Sequence, residues 1–247
     1  MKPVEMAKWD RRRGRPEPIS ALNKILEIDS FEPLVDLTLA CPDVVILRPQ
    51  VIAYLRKTAA EMLQEACVSL APHFKIGVID AFRPFQRQVR IYEYMTKCAL
   101  EVWPDLDYAQ LRRRVNRWVA PIDQPAPPGH CTGAAVDVYL LNADGEEQDV
   151  ASPYDRFSAA PTYSYGLTET AKKNRELLVN SMLSVGFSNC RDEWWHYSFG
   201  DAGWAVRLER AACFYGLIEL EPEYYAHQEE MWIQSFQERR NPFAARD

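Results

Sequence analysis

Asp137 interrupts an apolar run, Ala134 to Leu141, that has the length and make-up of a buried strand. Val136 and Val138 flank it, so the carboxylate is drawn into a sheet interior, where an unpaired charge is too costly. It therefore needs a partner: a divalent metal, an arginine or a backbone cap. His130 stands upstream in Pro128-Gly129-His130-Cys131-Thr132-Gly133, where a stiff proline-rich loop, Pro121 to Pro128, delivers the chain into the strand.

Only four histidines exist, which makes the second polar cluster conspicuous. Arg191-Asp192-Glu193-Trp194-Trp195-His196-Tyr197 puts two carboxylates and an imidazole among aromatics. His196 reads either as a packed core histidine or as a metal ligand. Glu193 fits a general base whose pKa is raised by apolar neighbours. Residues three apart in a strand face opposite sides, so Glu193 is expected in the turn that enters the strand. His130, Asp137 and His196 together make a set of two imidazoles and one carboxylate. Three protein ligands with a fourth position free is the catalytic zinc pattern. The same set suits non-haem iron, although the wide gap between His130 and Asp137 argues against that. Arg83, in Asp80-Ala81-Phe82-Arg83-Pro84, ends a strand and opens a loop. It has three roles open to it: pairing with Asp80, capping a turn, or holding an oxyanion.

The rest of the pattern gives an α+β chain. Leu34 to Ala40, Lys75 to Phe82, Ala134 to Leu141 and Glu193 to Phe199 read as strands. Apolar residues recur at three and four from Ile52 to Leu70, and helices are also expected over Gln86 to Leu100 and Asp107 to Val119. Thr168 is the expected N-cap of a helix running to Val185, with Gly186 just past its end. Without strict βαβ alternation, the expectation is a mainly antiparallel central sheet flanked by helices. One domain is expected over 1–247, with a core of about 31–216 and a helical, acidic extension over 217–247. The tail has three roles open to it: a homodimer contact, a lid, or cover for a sheet edge.

Composition excludes some classes. Hydrophobic residues make up 47% of the 247 and the net charge is −6, so a sizeable core is affordable and no basic face marks a nucleic-acid partner. Arg11, Arg12, Arg13 and Arg15 read as a solvated arm. No apolar run of about 18 residues appears, so no membrane partner is expected. Without a secretory pattern and with six scattered cysteines, the expectation is a cytoplasmic protein with free thiols.

These segments, in this order, resemble the D-Ala-D-Ala dipeptidases of the zinc D-Ala peptidase family. The resemblance rests on Asp80-Ala-Phe-Arg83-Pro84, on His130 to Asp137 with Gly133 between, and on Glu193-Trp-Trp-His196-Tyr197. Asp144-Gly145, Ser152-Pro-Tyr-Asp155-Arg-Phe157, Asn174-Arg175 and Gly186-Phe187 extend it, so that it covers about Leu34 to Gly216. It implies a Hedgehog/DD-peptidase-like fold and a zinc ion held by His130, Asp137 and His196. It implies further that Glu193 is the general base, that Arg83 stabilises the tetrahedral oxyanion, and that Asp155 receives the ammonium group of a small D,D-dipeptide. Related readings are a peptidoglycan carboxypeptidase or endopeptidase, and a catalytically silent zinc module. One position departs from the pattern. Pro128 stands where the family usually has serine, and it offers neither hydroxyl nor N–H. Recognition of a substrate carboxylate must then come from other groups.

Overall fold

The structure is a computed structural model that describes residues 3, 5–237 and 239–244. The chain runs through α1 (Ile19–Leu22), β1 (Leu26–Glu27), β2 (Leu34–Asp36), α2 (Leu37–Ala40), β3 (Val45–Ile46) and β4 (Tyr54–Arg56) before its first long helix, α3 (Lys57–Leu70). β5 (Phe74–Asp80), α4 (Phe85–Val102) and α5 (Tyr108–Val115) follow, then β6 (Ala135–Asn142), α6 (Glu169–Ser184), β7 (Ser188–Asn189) and β8 (His196–Ser198). α7 (Ala202–Arg207), β9 (Ala212–Cys213) and α8 (Ala226–Gln237) complete the chain.

The central sheet has the order β3-β5-β6-β8-β7. It is mixed rather than simply antiparallel. β5–β6, β6–β8 and β7–β8 pair antiparallel, whereas the edge strand β3 runs parallel to β5. α3 and α6 pack together and against this sheet. Ala59, Ala60, Leu63, Ala66 and Leu70 of α3 and Leu178 and Met182 of α6 meet Ile76, Val78, Val138 and Leu140 in one core. β6 is buried along nearly its whole length, as its unbroken apolar run requires.

Local chemistry sets the boundaries. The Thr168 hydroxyl accepts from the Ala171 N–H and starts α6, and Gly186 at φ +104° follows its end, both as expected. Several boundaries differ from expectation. Leu34 to Ala40 is not one strand, because the Asp36 carboxylate caps Thr38 N at 2.8 Å and turns the chain into α2. The helical periodicity beginning at Ile52 overran α3 by a strand. Leu55 pairs with Val35 in the β2–β4 ladder, and Ile52 bridges Phe82. The strand expected over Glu193 to Phe199 shrinks to β8. Glu193 lies in the turn before it, where the Glu193 carbonyl accepts from His196 N at 3.2 Å.

The short 3₁₀ turn Gly129–Thr132 carries His130 and is clamped from beneath. The Arg56 side chain, 1% exposed, donates to Thr132 O at 2.8 Å, Glu32 O at 2.6 Å and Gly216 O at 3.1 Å. Gly133 then turns the chain into β6 at φ +69°, where a Cβ would run into the Leu34 side chain. The C-terminal part of the chain is ordered by α4. Glu229 of α8 pairs with Arg87 at 2.7 Å and Arg90 at 2.6 Å, Trp232 is buried, and Phe243 joins Trp103 and Trp118 in a second apolar cluster. All six cysteines are free, and Cys131 is buried as expected of a small core thiol. No described helix is long and apolar enough to cross a membrane.

Two substitutions test how this frame is held. Gly133→Ala combines a left-handed backbone with a steric clash and should lower the unfolding free energy by about 1–3 kcal/mol in urea titration. Arg56→Met keeps the volume but strands the buried Thr132 and Gly216 carbonyls and the half-buried Glu32 carbonyl, and a loss of at least about 2 kcal/mol is expected in the same measurement. Wild-type stability in the Arg56 variant would show that the clamp contributes little.

Candidate active site

The sheet register builds the centre of the site. Asp137 of β6 lies opposite His196 of β8 on one side and Asp80 of β5 on the other. The β5–β6 ladder shifts between Val78 and Asp80, which lets Asp80 come level with Asp137. The 3₁₀ turn before β6 delivers the second imidazole from the same chain segment. The Asp137 Oδ1 atom lies 2.9 Å from His196 Nδ1 and 3.2 Å from His130 Nε2, and the two rings stand edge to face with centroids 5.0 Å apart. One donor atom from each of the three residues falls within 4.8 Å of the other two. His130 Nδ1 is 2.8 Å from the Ala81 carbonyl. A backbone acceptor there selects the tautomer with the proton on Nδ1 and leaves Nε2 free to face the other donors.

Electrostatics shows what this trio favours. Burial alone would raise the Asp137 carboxyl, but His130 and His196 outweigh it and hold the group well below the usual carboxylate range. Burial works against charge on His130, yet the Asp137 charge lifts its affinity for a proton above the ordinary value. The pocket thus draws positive charge to a point shared by three donors. Two imidazoles and one carboxylate, one imidazole oriented by a backbone carbonyl, match the ligand chemistry of a three-residue zinc site.

The other candidates gather around it. His130, Asp137, His196, Glu193, Arg83 and Asp155 all line one cleft of about 1480 Å³. Glu193 is half-buried, and burial together with the Asp137 charge pushes its carboxyl up to about 8. Of the three roles the sequence left open for Arg83, the pairing with Asp80 is formed, through Nε at 3.2 Å and through Nη2. Its backbone N–H separately donates to the His130 carbonyl at 3.1 Å. Its Nη1 donates to Gln88 Oε1 at 2.6 Å, so the guanidinium is fixed at the cleft wall. Asp155 shows the turn-forming role plainly. Its Oδ1 accepts from Phe157 N and Ser158 N, each at 2.9 Å, and its Oδ2 accepts from the Ser158 hydroxyl at 3.0 Å. A carboxylate has lone-pair capacity beyond these three bonds, so this does not exhaust it.

Two contributors escaped sequence reasoning. Arg156 lines the cleft with its guanidinium 4.1 Å from the Trp195 ring centroid, and its charge partly offsets the rise of Glu193. Its only sequence signal was adjacency to Asp155. The second is the C-terminal tail, whose Trp232, Ser235, Phe236 and Arg239 form part of the wall. No local pattern connects that tail to the site.

The Peptidase_M15 family model, D-ala-D-ala dipeptidase, matches residues 35–214. A D-alanyl-D-alanine dipeptidase of Synechocystis sp. is 30% identical over 195 residues, covering 67% of this chain and 79% of the relative. A D-alanyl-D-alanine dipeptidase of Escherichia coli is 24% identical over 187 residues, covering 73% of this chain and 86% of the relative. A solved structure of VanYB in complex with D-alanine-D-alanine aligns over 78% of this chain and 94% of its own, with 16% identity and a TM-score of 0.44. With a family match that spans well over half its length and includes all six candidate residues, the chain belongs to the D-Ala-D-Ala dipeptidase family.

Proposed function

We propose that this protein hydrolyses the peptide bond of small D,D-dipeptides such as D-Ala-D-Ala, with a zinc ion held by His130, Asp137 and His196. The observation that carries the reading is the convergence of those three donors, beside Glu193 and Arg83, in one cleft. The two relatives named above, both D-alanyl-D-alanine dipeptidases, support the substrate class. Zinc held by such a set supplies Lewis acidity to a carbonyl oxygen and to water.

The protein's own groups then divide the remaining work. Glu193 lies in the cleft beside the three donors, and burial raises its affinity for a proton, so it suits taking a proton from water and returning it to the leaving amine. Arg83 cannot swing freely, because Asp80 and Gln88 hold it; a pre-set guanidinium is what an oxyanion donor needs. Asp155, which lines the same cleft, would take the substrate ammonium with the lone pairs its turn leaves free. In this reading the chain is one peptidase domain, with its core at about 31–216 and the tail as an extension.

Purified protein should hold about one zinc per chain by elemental analysis and release D-Ala from D-Ala-D-Ala. His130→Ala should lose the metal, and full occupancy in that variant would remove His130 from the ligand set. Glu193→Gln should keep the metal while kcat falls about 10²–10⁴-fold. A fully active Glu193→Gln protein would mean that another group moves the proton.

A further inference from the structure

Several of the arginines that line the cleft form no ion pair among the described residues. Arg48, Arg83, Arg87 and Arg239 all line it. Asp80 is taken by Arg83, and Glu229 is shared by Arg87 and Arg90. Among the described residues, neither Arg48 nor Arg239 has a carboxylate within ion-pair distance. Arg87 is 2% exposed, and its Nη2 is buried without a hydrogen-bond partner. The charges of Arg48, Asp80 and Arg83 all bear on Arg239. Arginines that share one carboxylate, itself paired with Arg83, repel one another until a further anion joins them.

Arg239 is held in place on either side. Upstream, the Trp232 ring stacks on Phe236 at 4.6 Å, and the Arg239 guanidinium lies 5.2 Å from the Phe236 ring centroid. At Arg239 itself, the Tyr94 hydroxyl donates to its carbonyl at 2.9 Å. Downstream, the Asn241 amide donates to Cys98 O at 2.8 Å, and Phe243 is buried against Trp103 and Trp118. The tail is therefore docked, and its arginine is presented to the cleft at reduced entropic cost. Pro128, which lines the same cleft, has no hydroxyl or N–H with which to meet an anion. The family match ends at residue 214, so Arg239 is contributed by a part of the chain outside it.

We propose that Arg239 of the C-terminal tail, together with Arg48, forms the subsite that reads the free carboxylate of the peptide substrate. The ligand is a small peptide with an unblocked C-terminus, and the guanidinium fork matches its carboxylate. This rests on the dipeptidase reading of the site. It makes the tail a specificity element.

The test compares D-Ala-D-Ala with D-alanyl-D-alaninamide, which lacks the negative charge, on full-length zinc-loaded protein. The wild type should prefer the free acid. Arg239→Gln and Arg48→Gln should each raise KM for the acid about tenfold or more and leave the amide nearly unchanged, so the preference collapses. Arg239→Lys should recover part of it. Zinc content and thermal unfolding of each variant report whether the fold is kept. An equal loss on acid and amide, or no loss on either, overturns the proposal, because a merely structural arginine ignores the substrate's charge. If the wild type turns over neither peptide, the dipeptidase reading fails by itself. Calorimetric binding of the same pair then decides the subsite: acid preference lost in Arg239→Gln supports it, and binding without preference, or no binding, overturns it.

Discussion

Everything at the centre of this protein depends on one carboxylate placed where a carboxylate should not be. Asp137 sits inside a strand buried along nearly its whole length, and its charge survives there because two imidazoles share one of its oxygens. The stabilisation runs both ways: the histidines lower the Asp137 pKa, and Asp137 raises that of His130. Removing any member leaves buried polar groups uncompensated, which costs more than an ordinary lost contact. The same mutual need explains why the trio suits a divalent cation.

The surrounding structure holds that arrangement still. The β6–β8 ladder places His196 by backbone hydrogen bonding, while His130 depends on a short turn. That turn is fixed by Arg56 from below, by Gly133 at its end and by the Ala81 carbonyl on the ring itself. Arg83 is tied to the same turn through the His130 carbonyl and to β5 through Asp80. The three donors and Arg83 are therefore held by one connected set of contacts, which is the condition for preorganised electrostatics.

Both signs of charge line the cleft. Asp137 and Glu193 lie in it, and burial with the Asp137 charge raises the Glu193 carboxyl. Arginines line it too, some neutralised by Asp80 and Glu229 and some not. A zwitterionic peptide offers a charge to each, an ammonium for the carboxylates and a carboxylate for the arginines. The tail adds to these arginines and also packs on α4 through Trp232 and Phe243, so its role in the fold and its role at the site are linked.

Sequence by itself determined that Asp137 needs a partner and where several local elements begin and end. The need at 137 was legible because a charged residue inside an apolar run must be compensated. The turn position of Glu193 followed from strand alternation, and the limits of α6 followed from Thr168 and Gly186. Other features were decided only by tertiary structure. β4 took Leu55 out of a helical repeat because pairing with β2 outweighs local periodicity, and β3 made the sheet mixed by joining its edge in parallel. The level alignment of Asp80 with Asp137 arises from a ladder shift, and the return of Glu229 and Asn241 onto α4 arises from contacts made across more than a hundred residues. Periodicity and capping act over a few residues and can be read along the chain. Strand register and the docking of a distant tail depend on which surfaces remain to be covered once the core has formed, and that is settled only in three dimensions.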